Sequence, residues 1–162
     1  MVERDGLRVL GVDPGLNVTG YAVVDFPDAA DARIAEAGAI RTDAQGPTPR
    51  RIAQIHGDIS ALLAEFRPDV VAIEQLYSHY KHPRTSVLMA HARGVILLAA
   101  EQAGVAVRGL AATNVKKHLT GNGHASKRQV QRAVQTVCGL AEPPEPPDVA
   151  DALAIALTAA GR

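Results

Sequence analysis

Apolar residues recur along this chain with two periods, and the switches between them outline ten elements. Arg8 to Val12 is a short apolar run that stops at Asp13-Pro14-Gly15, a turn signal. Thr19 to Asp25 reads as a second strand. Arg33 to Thr42 alternates loosely and reads as a third, after a hairpin loop around Pro27 to Asp31. Gly46-Pro47-Thr48-Pro49 opens a helix in which Ile52, Ile55, Ile59, Leu62, Leu63 and Phe66 recur at helical spacing up to Pro68. Val70 to Ile73 is a compact strand that ends in Glu74. A polar stretch, Tyr77 to Pro83, precedes a long helix from about Arg84 to Ala103, closed by Gly104. Val105 to Arg108 predicts a short strand. Asn114 to Leu119 and Ser126 to Val137 predict two helices around the loop Gly121 to His124. Pro143 to Pro147 is a rigid lead-in to a last helix from near Asp148 to Ala160.

The order β-β-β-α-β-α-β-α-α-α predicts an α/β fold. Three consecutive strands suggest an antiparallel meander, and two strands alternating with helices suggest parallel pairing. The expectation is a mixed five-stranded sheet (three antiparallel plus two parallel strands) flanked by helices. It forms one domain over 1–162, with residues 1–7 as a short extension. The second half of the long helix, Val95 to Ala100, is apolar on every side. It must be covered on more than one face, either as a central core helix or as an interface.

Composition narrows the class. Hydrophobic residues are 47% and charged residues 21% of the 162, which excludes a disordered chain. Aromatics are 3% with no Trp, so the core is built from Val, Leu, Ile and Ala. Cys138 stands alone, which excludes an intramolecular disulfide and a cysteine zinc site. The charged N-terminus is not a secretory signal. The apolar run Val95 to Ala100 falls far short of the ~20 residues that span a bilayer. A soluble, cytoplasmic protein with no membrane partner is expected.

Four acidic residues carry the candidate chemistry. Asp13 and Glu74 each end an apolar strand, and strand ends of an α/β sheet are where ligand crevices form. Asp148 and Asp151 stand three apart at a helix start and share a face. If all four converge, they cannot all stay ionised without a cation. All-oxygen ligands suit Mg²⁺, with Mn²⁺ able to substitute. Two such ions, ~4 Å apart, would stabilise the attacking and leaving oxygens of a phosphoryl displacement. Plainer readings exist for each acid: Asp13 as a turn residue, Glu74 as an exposed strand end, Asp148 and Asp151 as helix-capping acids.

Charge by position changes the picture again. The chain has 17 basic and 17 acidic residues, and a net charge of zero argues against a nucleic-acid partner. Yet Gln75 to Ala141 holds nine basic residues against Glu101 alone, a net +8, and the remainder carries −8. Five of the six histidines also fall in this segment. A polyanion is the natural partner for it. Lys116-Lys117 and Lys127-Arg128 flank the Gly121 to His124 loop, which could follow a phosphate backbone. Lys81 and Arg84 belong to the same segment. Tyr77 and Tyr80 lie just past Glu74 and offer rings that can stack on bases. A solvated basic face and loop-anchoring tyrosines are the plain alternatives.

The residues GVDPGLNVTGYAVV, DVVAIEQLY, ARGV, NVKKHLTGNGHASKRQVQ and PDVADALAIA, in that order across nearly the whole chain, resemble the RuvC family of Holliday junction resolvases. The resemblance implies a ribonuclease H-like fold. It implies that Asp13, Glu74, Asp148 and Asp151 are catalytic metal ligands, and that Lys116 and Lys127 are catalytic basic residues near the scissile phosphate. Tyr77 falls where family members often carry Phe, on the loop that meets the junction centre. The implied reaction is Mg²⁺-dependent hydrolysis of phosphodiesters in recombination and DNA repair, leaving a 5′-phosphate and a 3′-hydroxyl. The DNA contacts expected are Tyr77, Tyr80, Lys81, Arg84, Lys116, Lys117, Lys127 and Arg128. Two matched cuts from a one-site chain require a two-fold homodimer. The RuvA–RuvB branch-migration complex is an implied partner. A non-catalytic junction binder of the same fold and a ribonuclease H-like nuclease on RNA–DNA hybrids stay open as alternatives. An actin-like ATPase, whose first strand also ends in Asp and Gly, is disfavoured by length.

Overall fold

Successive side chains of a strand point to opposite faces. A strand buried on both sides must therefore be apolar at nearly every position. The strand β1 (Leu7–Asp13) meets that requirement: Val9, Leu10 and Val12 are all 0% exposed. It lies at the centre of the sheet.

The computed structural model describes residues 6–28, 30–76 and 81–161. Strands β1, β2 (Val18–Phe26) and β3 (Arg33–Arg41) form the antiparallel meander. Strand β4 (Val70–Glu74) runs parallel to β1 on its other side, and β5 (Ala106–Leu110) runs parallel to β4. The sheet order is β3-β2-β1-β4-β5, the mixed sheet that the element order predicts.

Two layers of helix cover it. Helices α1 (Thr48–Phe66) and α2 (Pro83–Gln102) pack Ile55, Ile59, Leu63, Ile96 and Ala100 against Leu10, Val12, Val23, Val71 and Ile73. On the other face, α3 (Ala112–Thr120), α4 (Lys127–Val137) and α5 (Pro147–Ala159) close over Val9, Ala22, Val24, Val70 and Ala72. Helix α5 is the central one, with nine buried residues from Val149 to Ala159. Helix α2 is covered on one side only. It buries Ala92, Ile96, Ala99 and Ala100 while Val87 and Leu98 stay 54% and 49% exposed.

Element ends differ from the periodicity by a residue or two, for local reasons. Leu7 is already in β1, paired with Phe26, rather than in an N-terminal extension. Helix α2 begins at Pro83, because proline at the first helical position loses no needed N–H. Helix α3 begins at Ala112, ahead of its first buried residue. Helix α1 stops at Arg67, which takes the left-handed conformation (φ 46°) that usually falls to glycine and donates its N–H to the Leu63 carbonyl at 3.0 Å. Ser126 and Gln129 form a reciprocal capping box at the start of α4. Among the described residues no helix is long and apolar enough to cross a membrane.

Removing the Leu153 side chain, 1% exposed on α5, is expected to cost about 2–5 kcal/mol of stability. Val137→Ala, at a position 46% exposed, should stay within about 0.5 kcal/mol of the parent. Urea denaturation of the two variants measures both.

Candidate active site at the ends of β1 and β4

Val12 of β1 is in register with Ile73 of β4, and the strands are parallel. The next residues, Asp13 and Glu74, therefore leave the same edge of the sheet side by side. Helix α5 starts over that edge and brings Asp148 and Asp151. The four carboxylates do gather. Asp13 has its pKa pushed up to about 8, first by burial and then by the negative charges of Asp151, Glu74 and Asp148, with Lys127 partly offsetting them. Glu74 is also raised, by burial and then by Asp151, while Lys116 and Lys127 pull it back.

Neither a side-chain cap on α5 nor a turn position for Asp13 is seen. The residue flanking α5 is Pro146 and no side chain caps the helix; Asp148 sits within its first turn. Asp13 belongs to β1, opposite Gly20 of β2. The turn after it is held by others: Thr19 Oγ1 donates to the Gly15 carbonyl at 2.7 Å, and Thr42 Oγ1 to the Leu16 carbonyl at 2.6 Å.

Lys116 and Lys127 come to the acids. With Glu74 and Asp151 they line a cleft of about 190 Å³. Lys127 Nζ lies 3.2 Å from Asp151 Oδ2, and this neighbour is the main reason the lysine's pKa is raised. Its side chain is 72% exposed, so the pair orders the two groups without adding much stability. Lys117 and Arg128 are exposed on α3 and α4. Lys81 ahead of α2 and Arg84 in its first turn are exposed, and there His82 and Thr85 help line a larger cleft of about 540 Å³ that also reaches Glu74. Tyr77 and Tyr80 lie outside the described residues.

Among the described residues, no three His, Cys, Asp or Glu side chains stand close enough together to hold an ion as placed. Asp151 is turned towards Lys127. The donor set nevertheless fits a hard divalent cation: four carboxylates, all oxygen, in a site where burial and then the neighbouring negative charges disfavour an ionised Asp13 without a cation.

Periodicity did not single out three further features. Arg51 is 8% exposed on α1, in the buried row with Ile55, Ile59 and Leu63; its Nε donates to Thr42 Oγ1 at 2.9 Å and its Nη2 to Asn17 Oδ1. It thus braces the turn that follows Asp13. An arginine four residues ahead of Ile55 in an apolar row was the available signal. Arg93 of α2 donates Nε to the Glu74 carbonyl at 3.2 Å, inside the ARGV motif. Helix α5 also approaches the sheet directly over two glycines, Gly11 and Gly20.

A mixed sheet in this order, with acids leaving β1 and β4 and meeting two more on the last helix, defines a nuclease of ribonuclease H-like fold. More narrowly, the chain belongs to the RuvC family: residues 9–159 match the family model described as crossover junction endodeoxyribonuclease RuvC. It is 50% identical over 149 residues to the crossover junction endodeoxyribonuclease RuvC of Rhodopirellula baltica, covering 92% of this chain and 83% of that one. The Thermus thermophilus RuvC structure matches with a TM-score of 0.87 at 38% identity, over 96% of this chain and 94% of that one. The T. thermophilus RuvC in complex with Holliday junction substrate matches with the same score and identity, over 94% and 92%.

The raised Asp13 predicts a pH effect with a definite sign. The folded chain holds a proton that the unfolded chain releases, so without divalent metal stability falls as pH rises from about 4, and the loss is complete above about 8. Asp13→Asn should remove Asp13's share of that dependence, leaving the share of Glu74, and be more stable than the parent at pH 8. The gap should narrow by on the order of 1 kcal/mol per pH unit on the way down to pH 4. Urea titrations in the presence of a chelator measure it.

Proposed function

We propose that this chain resolves four-way (Holliday) DNA junctions by paired, symmetric nicks, acting as one nuclease unit in recombination and repair. The observation that carries the reading is the convergence of Asp13, Glu74, Asp148 and Asp151 beside Lys116 and Lys127 at one sheet edge. Membership of the RuvC family and the likeness to a relative solved with a junction supply the substrate class.

In this reading the four carboxylates hold divalent cations, Mg²⁺ or Mn²⁺, two per site. When bound, the ions supply an activated water and neutralise charge on the attacking and departing oxygens. The protein's own groups do the rest. Asp13 and Glu74 fix one side of the cluster from rigid strands, and Asp148 and Asp151 fix the other from a helix packed on the sheet. Lys127 orients Asp151, and both Lys127 and Lys116 place positive charge along the cleft. Both lysines are set to stabilise negative charge growing on the phosphoryl oxygens. Water oxygen bonds to phosphorus, the P–O3′ bond breaks, and the proton passes to the departing 3′ oxygen. No protein nucleophile is needed. Lys81, Arg84, Lys117 and Arg128, all exposed, extend a basic track for the DNA arms, with Tyr77 and Tyr80 offered as stacking rings. RuvA–RuvB is the branch-migration partner that family membership suggests.

A second copy of the chain completes the reaction. Val87, Gly94 and Leu98 lie along one side of α2, and a Cβ on Gly94 would meet nothing within 4 Å. Two such helices packed about a two-fold axis would cover this face and set two sites on one junction.

A labelled four-way junction incubated with the protein and Mg²⁺ should show paired nicks at symmetric positions; equal nicking of linear duplex or of an RNA–DNA hybrid would refute the reading. Asp13→Asn is expected to slow cleavage on the order of 10³-fold or more, from several lost kcal/mol, while junction binding in a gel-shift assay survives. Leu98→Glu should yield a monomer by analytical ultracentrifugation and replace paired nicks with uncoupled single ones.

A further inference from the structure

Gly20 stands in β2 as the cross-strand partner of Asp13. The first turn of α5 lies directly on it. A Cβ built on Gly20 would fall 2.0 Å from the Asp148 carbonyl oxygen, 2.4 Å from its carbonyl carbon and 2.9 Å from its Cβ. These are backbone atoms and the root of a side chain, so none can swing aside. On the neighbouring strand, a Cβ on Gly11 would fall 2.3 Å from the Ala152 carbonyl oxygen. Conformational freedom does not explain the glycine at position 20, because its φ is not positive. Two other strand glycines differ in kind: a Cβ on Gly38 would first meet Tyr21 Oη at 2.7 Å and one on Gly109 the Gln75 Cγ at 3.2 Å, both side-chain atoms rather than helix backbone.

We infer that Gly20 is a positioning residue for the acid cluster: by carrying no side chain it sets how closely Asp148, and Asp151 behind it, approach Asp13. The inference rests on the metal-site reading above and adds what fixes the site's width. Real Cβ atoms keep at least 3.0 Å from such neighbours, so any side chain here must lift the turn by on the order of 1 Å. A catalytic group misplaced by ~1 Å can cost about 10²-fold in rate. Mg²⁺ tolerates little of this, since it requires near-octahedral oxygens at about 2.0–2.1 Å.

Calorimetric titration of the metal-free protein with Mn²⁺, without DNA, tests this alongside Mg²⁺-supported junction cleavage. Gly20→Ala should weaken Mn²⁺ binding at least about tenfold and slow cleavage about 10²-fold, while a gel-shift assay still shows junction binding. Ile59→Ala is the stability control, since Ile59 is wholly buried on the opposite side of the sheet. It should lower the melting temperature yet hold Mn²⁺ as the parent does. If Gly20→Ala does not fold, Ala152→Ser takes its place, enlarging a buried side chain on the same helix, with a smaller loss in the same direction expected. Folded variants that hold Mn²⁺ and cut like the parent overturn the inference. So does an equal loss of Mn²⁺ affinity in Ile59→Ala, which would mark a general effect of instability. A parent chain that binds no Mn²⁺ overturns the metal-site reading itself, and this inference with it.

Discussion

Helix α5 touches β1 and β2 with almost nothing in between, and the rest of the molecule is arranged around that contact. Bare strand positions at Gly11 and Gly20 let the helix backbone settle onto the sheet. Close packing of this kind gains many small dispersion contacts at once. Val149 to Ala159 then fills the middle of one core layer, with Val115 of α3 and Val130 and Val134 of α4 closing around it. The first turn of the same helix carries two acids. The most apolar helix of the chain thus delivers half of its most polar site, and burial along the helix holds charges together that would otherwise separate.

Those charges give the site its character. Asp13 is raised first by burial and then by three neighbouring carboxylates, and Glu74 shares the condition. Lys127 and Lys116 lessen the repulsion without cancelling it. A site in this state favours a cation strongly, and that is the physical link between the fold and phosphodiester chemistry. It also reinterprets the zero net charge of the chain. In the proposed reading four of the acids in the −8 remainder would hold metal ions, which leaves the +8 segment free to meet a polyanion.

Helix α2 joins two parts of the proposed function. Its inner side packs on the sheet, and Arg93 reaches the carbonyl of Glu74. Its outer side leaves Val87 and Leu98 uncovered. A two-fold partner seated there would bear on an element bonded to a candidate metal ligand. Arg51 does a comparable job from α1, bracing through Asn17 and Thr42 the turn that leaves Asp13.

The sequence by itself determined the ten elements, their order, the mixed sheet and the four acids, because periods of 2 and 3.6 and the ends of apolar runs are properties of the local chain. It also carried the family in its motifs. It left open whether Asp148 and Asp151 merely favour a helix start; the fold adds that the first turn of α5 lies on Gly20 of β2, the cross-strand partner of Asp13. It left α2 between core and interface, and only the packed layers showed one covered side and one bare. Periodicity marked neither Arg51, which α1 buries, nor Gly20, which α5 lies across. Each of these is a distance between elements far apart in the chain. Such distances are set by which surfaces fit together, and no periodicity within one element contains them.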